Sequence, residues 1–330
     1  MKRPTLEVVA ARAGVSKSSV SRVVNGETTV APQIREVVMR AVRELGYVPN
    51  AAARNLVTRR TDAVAVVVAD PPQGVVSDDP LFSTVVRAVS RELEAAGKQV
   101  VLMLAESDRS RARVEAYVAG GHVDGVMLVA LHGTDPLPAA LARTGLPMAS
   151  FNRTSAPDVP YAGVDNAGGA TLAVRHLLER GRRRIAAITG PLDLFEARER
   201  LEGYRETLRG TGRRSIVALG DFTRASGAEA MRQLLEDDPA LDAVFASNDL
   251  MAIGALRTLR QAGRRVPEDV AVVGFDDIEA AAYTAPALTS VRSPMADQAI
   301  ATVHLLLGLI EGGPRAPVVI PNELVVREST

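Results

Sequence analysis

Two hydrophobic rhythms divide this chain. Over roughly the first 60 residues apolar positions recur at helical spacing; from residue 63 onward short continuous apolar runs alternate with amphipathic helical stretches. Leu6, Val9, Ala10 and Ala13 share one face of a first short helix that Thr5 can cap. Gly14 ends it, because glycine tolerates the left-handed backbone of a tight turn. Ser16 can cap a second helix that turns Val20, Val23 and Val24 inward. A third spans about Pro32 to Leu45, with Ile34, Val37, Val38, Ala41, Val42 and Leu45 inward, and Gly46 stops it. Two short helices joined by a glycine turn make a helix-turn-helix, whose second helix can enter a DNA major groove. Its exposed face, Lys17, Ser18, Ser21 and Arg22, suits base edges and phosphates, although an ordinary helical hairpin fits the same pattern.

Pro49 biases the link Tyr47-Val-Pro-Asn50 toward an extended path. The alanine-rich stretch that follows, through Arg54 and Leu56, is cappable by Asn50 but too short to be stable alone in water. It is expected to become helical only when something else holds it. From Ala63 the runs Ala63–Ala69, Val100–Ala105, Gly125–Ala130 and Pro147–Phe151 read as buried strands separated by helices. The alternation resumes at Arg184–Thr189, Ser215–Leu219, Ala243–Ala246 and Val270–Phe275. Such alternation predicts βαβ units in two doubly wound parallel-sheet lobes, behind an all-α head. Ligands on such sheets lie beyond the carboxyl ends of the strands. The loop Asp70–Pro80 falls at one such end.

At 330 residues, 47% of them apolar, the chain can build several cores. It has no cysteine, which excludes disulfides and thiolate metal sites. Neither a signal peptide nor an apolar run of membrane-spanning length is visible, so a cytoplasmic location with no membrane partner is expected. The net charge of zero hides a split: residues 1–60 hold 11 Lys and Arg against 4 Asp and Glu, the remainder 28 against 35. A basic head on an acidic body implies that the head meets a polyanion.

Enzyme signatures are missing: no P-loop, no Gly-x-Gly-x-x-Gly turn and no Gly-x-Ser-x-Gly elbow occur. His122, His132, His176 and His304 lack metal-ligand spacing, so neither a metal nor a cofactor is expected. Asn152-Arg153, Asn248-Asp249 and Asp276-Asp277 each follow a strand-like run, which delivers polar groups to one rim. They could be helix caps or ligand groups; the reading taken is that Asp249 and Asp277 cap, while Asn248 and Asp276 face a ligand.

Together these segments resemble the lactose-repressor/galactose-repressor (LacI/GalR) family of bacterial transcription regulators, over essentially the whole chain. The resemblance rests on Thr5-Leu6, Ala13-Gly-Val-Ser16, Val20-Ser-Arg-Val-Val-Asn25-Gly26 and Leu45-Gly-Tyr47-Val-Pro-Asn50-Ala-Ala-Ala53-Arg54-Asn-Leu56. It continues through Asn152-Arg153, Val164-Asp-Asn166, Gly190-Pro191, Ala197-Arg-Glu-Arg200-Leu-Glu-Gly203-Tyr204, Ala246-Ser-Asn248-Asp249, Val273-Gly-Phe-Asp276-Asp277 and Pro286-Ala-Leu-Thr289. It implies a DNA-binding head at 1–49, a hinge helix and linker at 50–61, and an effector-binding and dimerisation domain at 62–330 resembling periplasmic sugar-binding proteins. The first lobe would take about 62–161 and 292–321 and the second about 162–291 and 322–330.

By the same resemblance Lys17, Ser18 and Arg22 would meet base edges, while Ser16, Ser21, Asn25 and Tyr47 would hold phosphates. Asn50 would start the hinge helix, and Leu56 would wedge into the minor groove with Ala53 beside it and Arg54 near the backbone. Arg200, Asn248 and Asp276 would bind hydroxyls, with Asn152 and Ser293 near them and Phe82, Phe195, Phe222 and Met295 as apolar walls. The expected function is a non-enzymatic, ligand-responsive repressor that binds near-palindromic operator DNA as a homodimer. Its effector is expected to be a sugar or sugar derivative. A nucleoside effector, a solute-binding protein or a sugar-modifying enzyme are the competing readings. The chain lacks tryptophan for sugar stacking, the Asp70–Pro80 loop looks long for the family, and no leucine heptads suggest a coiled-coil tetramer.

Overall fold

Local signals build the head as three helices, α1 (Leu6–Ala13), α2 (Lys17–Val24) and α3 (Pro32–Leu45). The computed structural model describes residues 4–25, 27, 29–48, 60–69, 80–129 and 135–330. Gly14 and Gly46 end α1 and α3 at φ of 67° and 61°. Ser16 Oγ accepts the Ser19 amide at 3.1 Å and so caps α2. Thr5 occupies the N-cap position of α1, but its side chain makes no capping bond, contrary to expectation. Val9, Ala10, Val20, Val23, Val38, Ala41 and Tyr47 form the core. Val37, expected inside, is 38% exposed, because the apolar stripe of α3 is narrower than the sequence suggested. The head, Met1–Thr61, and the body, Asp62–Thr330, form separate units.

The body begins with β1 (Ala63–Ala69), buried along its whole length. It continues as α4 (Pro80–Ala95), β2 (Gln99–Ala105), α5 (Asp108–Ala119), β3 (Gly125–Val129), α6 (Leu137–Ala142), β4 (Met148–Phe151) and β5 (Tyr161–Val164). The chain then crosses into a second lobe of α7 (Asn166–Glu179), β6 (Ile185–Thr189), α8 (Phe195–Arg209), β7 (Ile216–Leu219), α9 (Arg224–Asp237) and β8 (Ala243–Ala246). That lobe goes on through α10 (Asp249–Gln261), β9 (Ala271–Asp276), α11 (Glu279–Ala282) and β10 (Thr289–Arg292). Helix α12 (Met295–Ile310) and β11 (Val318–Ile320) return to the first lobe, and β12 (Glu323–Val325) ends in the second.

The first sheet has the order β11-β5-β4-β3-β1-β2 with every pairing parallel. The second repeats it as β12-β10-β9-β8-β6-β7, parallel except for β12 against β10. The central strands of each sheet are covered on both faces, which is why they are apolar without alternation, while the edge strand β2 leaves Leu102 and Leu104 exposed. Residues of α5 and α6 cover one side of the first sheet and residues of α4 and α12 the other. Around the second sheet α7 and α8 oppose α9 and α10. Strand β5 pairs with β4 and β11, so the first crossover follows Val164 instead of lying near Tyr161. The 161 boundary moves because Tyr161–Val164 completes a buried ladder of the first sheet before the chain turns. The expected hinge positions Asn50, Ala53, Arg54 and Leu56, and the loop at 70–79, lie outside the described residues.

Candidate functional site

Helix α2 presents Lys17, Ser18 and Arg22 exposed, with Ser16 and Asn25 exposed at its two ends and Ser21 half-buried. Each of these groups already has a partner: Ser18 bonds Ser16, and Asn25 donates to Ser21. Lys17 Nζ donates to Glu7, and that bond is the main cause holding the Glu7 carboxyl down at about 2. Arg22 lies 3.7 Å from Glu27. Ser16 spends its hydroxyl on the α2 cap. All are exposed, so a polyanion can replace the two ion pairs at small cost. Tyr47 is not an exposed group like the others but is packed into the core of the head, 9% exposed.

In the body, a doubly wound sheet leaves a crevice where the strand order reverses, here beyond the ends of β6 and β8. The backbone there is unusual. Asn152, Phe222, Asp276 and Asp277 have φ of 73°, 69°, 101° and 54°. Side chains other than glycine seldom adopt this region, and such strain gathers at functional sites. Three strand ends, those of β4, β7 and β9, thus carry this costly backbone at the rim of the body's crevice.

Arg200 projects from α8 and is 7% exposed. Its Nε donates to Asn166 Oδ1 at 2.9 Å and its Nη1 to the Ser247 carbonyl at 2.6 Å. It also lies 3.4 Å from Asp276 and stacks 3.7 Å above the Phe275 ring. Arg200 is thus the middle of a buried polar cluster of the second lobe. The Ser293 amide donates to the Asp276 carbonyl at 3.3 Å, which brings the second crossover into the same cluster.

At the end of β8 the capping role falls to Asn248 instead of the expected Asp249, and Asp277 does not cap either. Asn248 is the cap: its Oδ1 accepts the Met251 amide at 2.9 Å while its Nδ2 donates to the Phe222 carbonyl at 2.9 Å. Asp249 does not cap. It is fully buried, accepts Ser290 Oγ at 2.6 Å and the Ile278 amide at 2.8 Å, and burial followed by the Asp276 charge pushes its carboxyl up to about 8. Asp277 accepts Arg327 at 2.6 Å and Arg292 at 2.9 Å, an ion-pair triad on the same loop.

A cleft of about 230 Å³ opens beside this cluster. The first lobe contributes Asn152, Arg153, Tyr161 and Gly163 to it, and the second Asn166, Phe195, Glu196 and Glu199. Of the expected ligand residues, Asn152 and Phe195 line it. Phe195 is not a bare wall: the guanidinium groups of Arg153 and Arg198 lie 5.0 Å and 4.4 Å from its ring centre. Phe82 packs against the first-lobe core and Phe222 against the second, over Gly190, where a Cβ would overlap the ring. Met295 opens α12, half-buried and outside the cleft lining.

Sequence reasoning missed the residues that hold the polar groups on either side of the cleft. Asn166 links the cluster to the cleft, since its Nδ2 donates to Glu199 at 3.0 Å while its Oδ1 takes Arg200. Gln298 on α12 holds Asn152 by a 2.7 Å bond to its Oδ1 and also donates to the Ala162 carbonyl. Across the cleft Asn152 Nδ2 donates to Glu196 at 3.5 Å. Burial pushes the Glu196 carboxyl upward, with the charges of Glu199 and Asp276 adding to it and Arg200 opposing. The spacing Glu196-x-x-x-Arg200 was a usable signal, because residues four apart share one helix face.

Comparison with known proteins gives a consistent result. Residues 5–50 match the profile described as bacterial regulatory proteins, lacI family, and residues 174–330 a periplasmic binding protein-like domain. The HTH-type transcriptional regulator CelR of Thermobifida fusca is 48% identical over 336 residues, covering 99% of this chain and 98% of its own. A solved CelR–cellobiose complex superimposes with TM-score 0.78 at 45% identity, over 99% of this chain and 100% of the other. The lac repressor dimer bound to operator and the anti-inducer ONPF gives 0.86 at 29% identity, over 100% and 99%.

Proposed function

The chain belongs to the LacI family of bacterial regulatory proteins, and from that premise we propose that it is a transcriptional repressor whose grip on operator DNA is set by a carbohydrate in the interlobe cleft. The observation that carries this reading is the pairing, in one chain, of an exposed cationic recognition helix with a two-lobed body whose cleft gathers polar side chains from both lobes. The relative's cellobiose complex makes cellobiose the first effector to test. The lac repressor dimer on operator supports a homodimer reading two half-sites, with recognition helices about one DNA turn apart, roughly 34 Å. Lys17, Ser18 and Arg22 would contact bases, and Ser21 and Asn25 phosphates. No enzymatic step is needed for this work, and it belongs where the chromosome is, in the bacterial cytoplasm.

In this reading the effector changes how the lobes meet and thereby the affinity of the heads for DNA. A coupling of about 1–3 kcal/mol changes that affinity roughly 5–150-fold. The test is operator binding at fixed salt with and without cellobiose, since phosphate contacts make affinity salt-dependent. A cellobiose-dependent change of that size is expected; binding that ignores cellobiose and other neutral sugars removes the effector reading. Lys17→Ala is expected to weaken operator binding about 5–150-fold and to relax base choice at one position per half-site. A uniform loss across all DNA sequences would make Lys17 a phosphate contact instead.

A further inference from the structure

Glu196 stands at the start of α8, one turn before Arg200 and on the same face of the helix. It lines the cleft, and its Oε1 meets Asn152 Nδ2 of the other lobe at 3.5 Å, the long end of hydrogen bonding. The other polar groups nearby are more tightly engaged. Asn152 Oδ1 takes Gln298 at 2.7 Å, Glu199 takes Asn166 at 3.0 Å, and Arg200 is held by Asn166 and the Ser247 carbonyl. Arg153 lies over the Phe195 ring. Beside its own backbone amide, this half-buried carboxylate takes the long hydrogen bond from Asn152, and burial pushes its carboxyl upward. Its remaining need is for hydrogen-bond donors without negative charge.

The charges around the cleft agree. Glu196, Glu199 and Asp165 line it, and Asp276 adjoins it, against the cations Arg153 and Arg200. A phosphate or carboxylate entering here would face three lining carboxylates against the one lining guanidinium of Arg153. A polyol would bring hydroxyl donors, and a hydroxyl on a carboxylate makes a short, charge-assisted bond.

We propose that Glu196 is the selectivity residue of the cleft: it accepts hydroxyls of a neutral ligand in place of the long bond from Asn152, bridging ligand to both lobes, and turns anionic sugars away. This rests on the effector reading above and deepens it, because Glu196 becomes the group through which ligand chemistry and lobe contact are linked. The substitution Glu196→Gln keeps the shape and removes the charge.

The experiment is calorimetric titration of the full chain with cellobiose, glucose and ribose as neutral probes and glucose 6-phosphate as the anionic one. Glu196→Gln, Glu196→Asp and the exposed α8 control Glu202→Gln are titrated alongside, and thermal melting checks that each is folded. Wild type is expected to bind a neutral sugar and to reject glucose 6-phosphate. Glu196→Gln is expected to bind the neutral sugar about 10–100-fold more weakly, with a smaller gap to glucose 6-phosphate. Glu196→Asp is expected to keep the discrimination, and Glu202→Gln to behave as wild type. Unchanged affinity and discrimination in folded Glu196→Gln overturn the assignment and leave the effector reading standing. If wild type binds none of the neutral sugars, the effector reading falls and this assignment with it. Should Glu196→Gln melt early, loss of discrimination in folded Glu196→Asp overturns the proposal.

Discussion

Asp249 is held on every side by the second lobe. It sits fully buried between Ser290 Oγ and the Ile278 amide, and its carboxyl is pushed up to about 8, first by burial and then by the charge of Asp276. A carboxyl raised on folding binds more protons in the native state than in the unfolded one. Its stabilising contribution is therefore complete below the ordinary value of 3.8 and is lost as pH rises toward about 8. Asp249→Asn removes the titration while keeping an acceptor for the Ile278 amide. Melting temperature against pH is expected to fall from pH 5 to pH 8 in the wild type and to fall less in Asp249→Asn. Parallel curves would show that Asp249 is not the titrating group. The sequence marked Asn248-Asp249 as a pair at a strand end but assigned the roles the wrong way round. Which of two adjacent polar residues caps and which is buried depends on the φ and ψ of the turn, and on whether Ser290 arrives opposite, neither of which a local pattern contains.

Helices α9 and α10 approach so closely that glycine is needed on both. A Cβ on Gly227 would overlap the backbone of Met251, and one on Gly254 the carbonyl of Arg224 and the amide of Ala228. Gly308 on α12 has nothing within 4 Å of where its Cβ would stand. Alanine is normally the better helix residue by about 1 kcal/mol, so the two sites should answer the same substitution with opposite signs. Gly254→Ala is expected to destabilise by about 1–3 kcal/mol through forced separation of the helices, and Gly308→Ala to stabilise by up to about 1 kcal/mol. Urea midpoints decide it; stabilisation by Gly254→Ala would refute the close packing. At this scale the sequence was legible. The bounds of α3 and eight of the twelve strands among the described residues were visible in periodicity alone, because those elements bury faces that must be apolar; β5, β10, β11 and β12 were not read as strands. Val37 escaped, since the width of a buried stripe depends on what packs against it. The lobe boundary expected at about 161 falls after Val164, because Tyr161–Val164 carries no mark of which sheet it joins.

For the molecule as a whole, the repeated strand order of the two sheets puts the crevice of each at its switch point. Asp276 ends β9 at φ 101°, lies 3.4 Å from Arg200 and is joined by its carbonyl to the amide of Ser293. It therefore touches both the polar centre and the crossover that returns the chain to the first lobe. Asp276→Ala is expected to abolish the cellobiose-dependent change in operator binding, measured as the ratio of affinities with and without sugar. A ratio equal to wild type would remove Asp276 from the site. The basic head and acidic body, legible as a charge split, fit the same picture, since only the head has to meet phosphate.

The sequence by itself determined the elements, the two doubly wound lobes, the helix-turn-helix and the family, because capping residues, glycine stops and hydrophobic period act over a few residues. It also supplied most of the polar residues of the centre, since strand ends are where such folds deliver side chains. Only the tertiary structure decided that Asn248 caps while Asp249 is buried, that Tyr47 lies inside the head, and that Glu196 faces Asn152 across the cleft. Those facts are set by contacts between residues far apart in the chain, such as the 44-residue separation of Asn152 and Glu196. They exist only once the lobes have folded and come together.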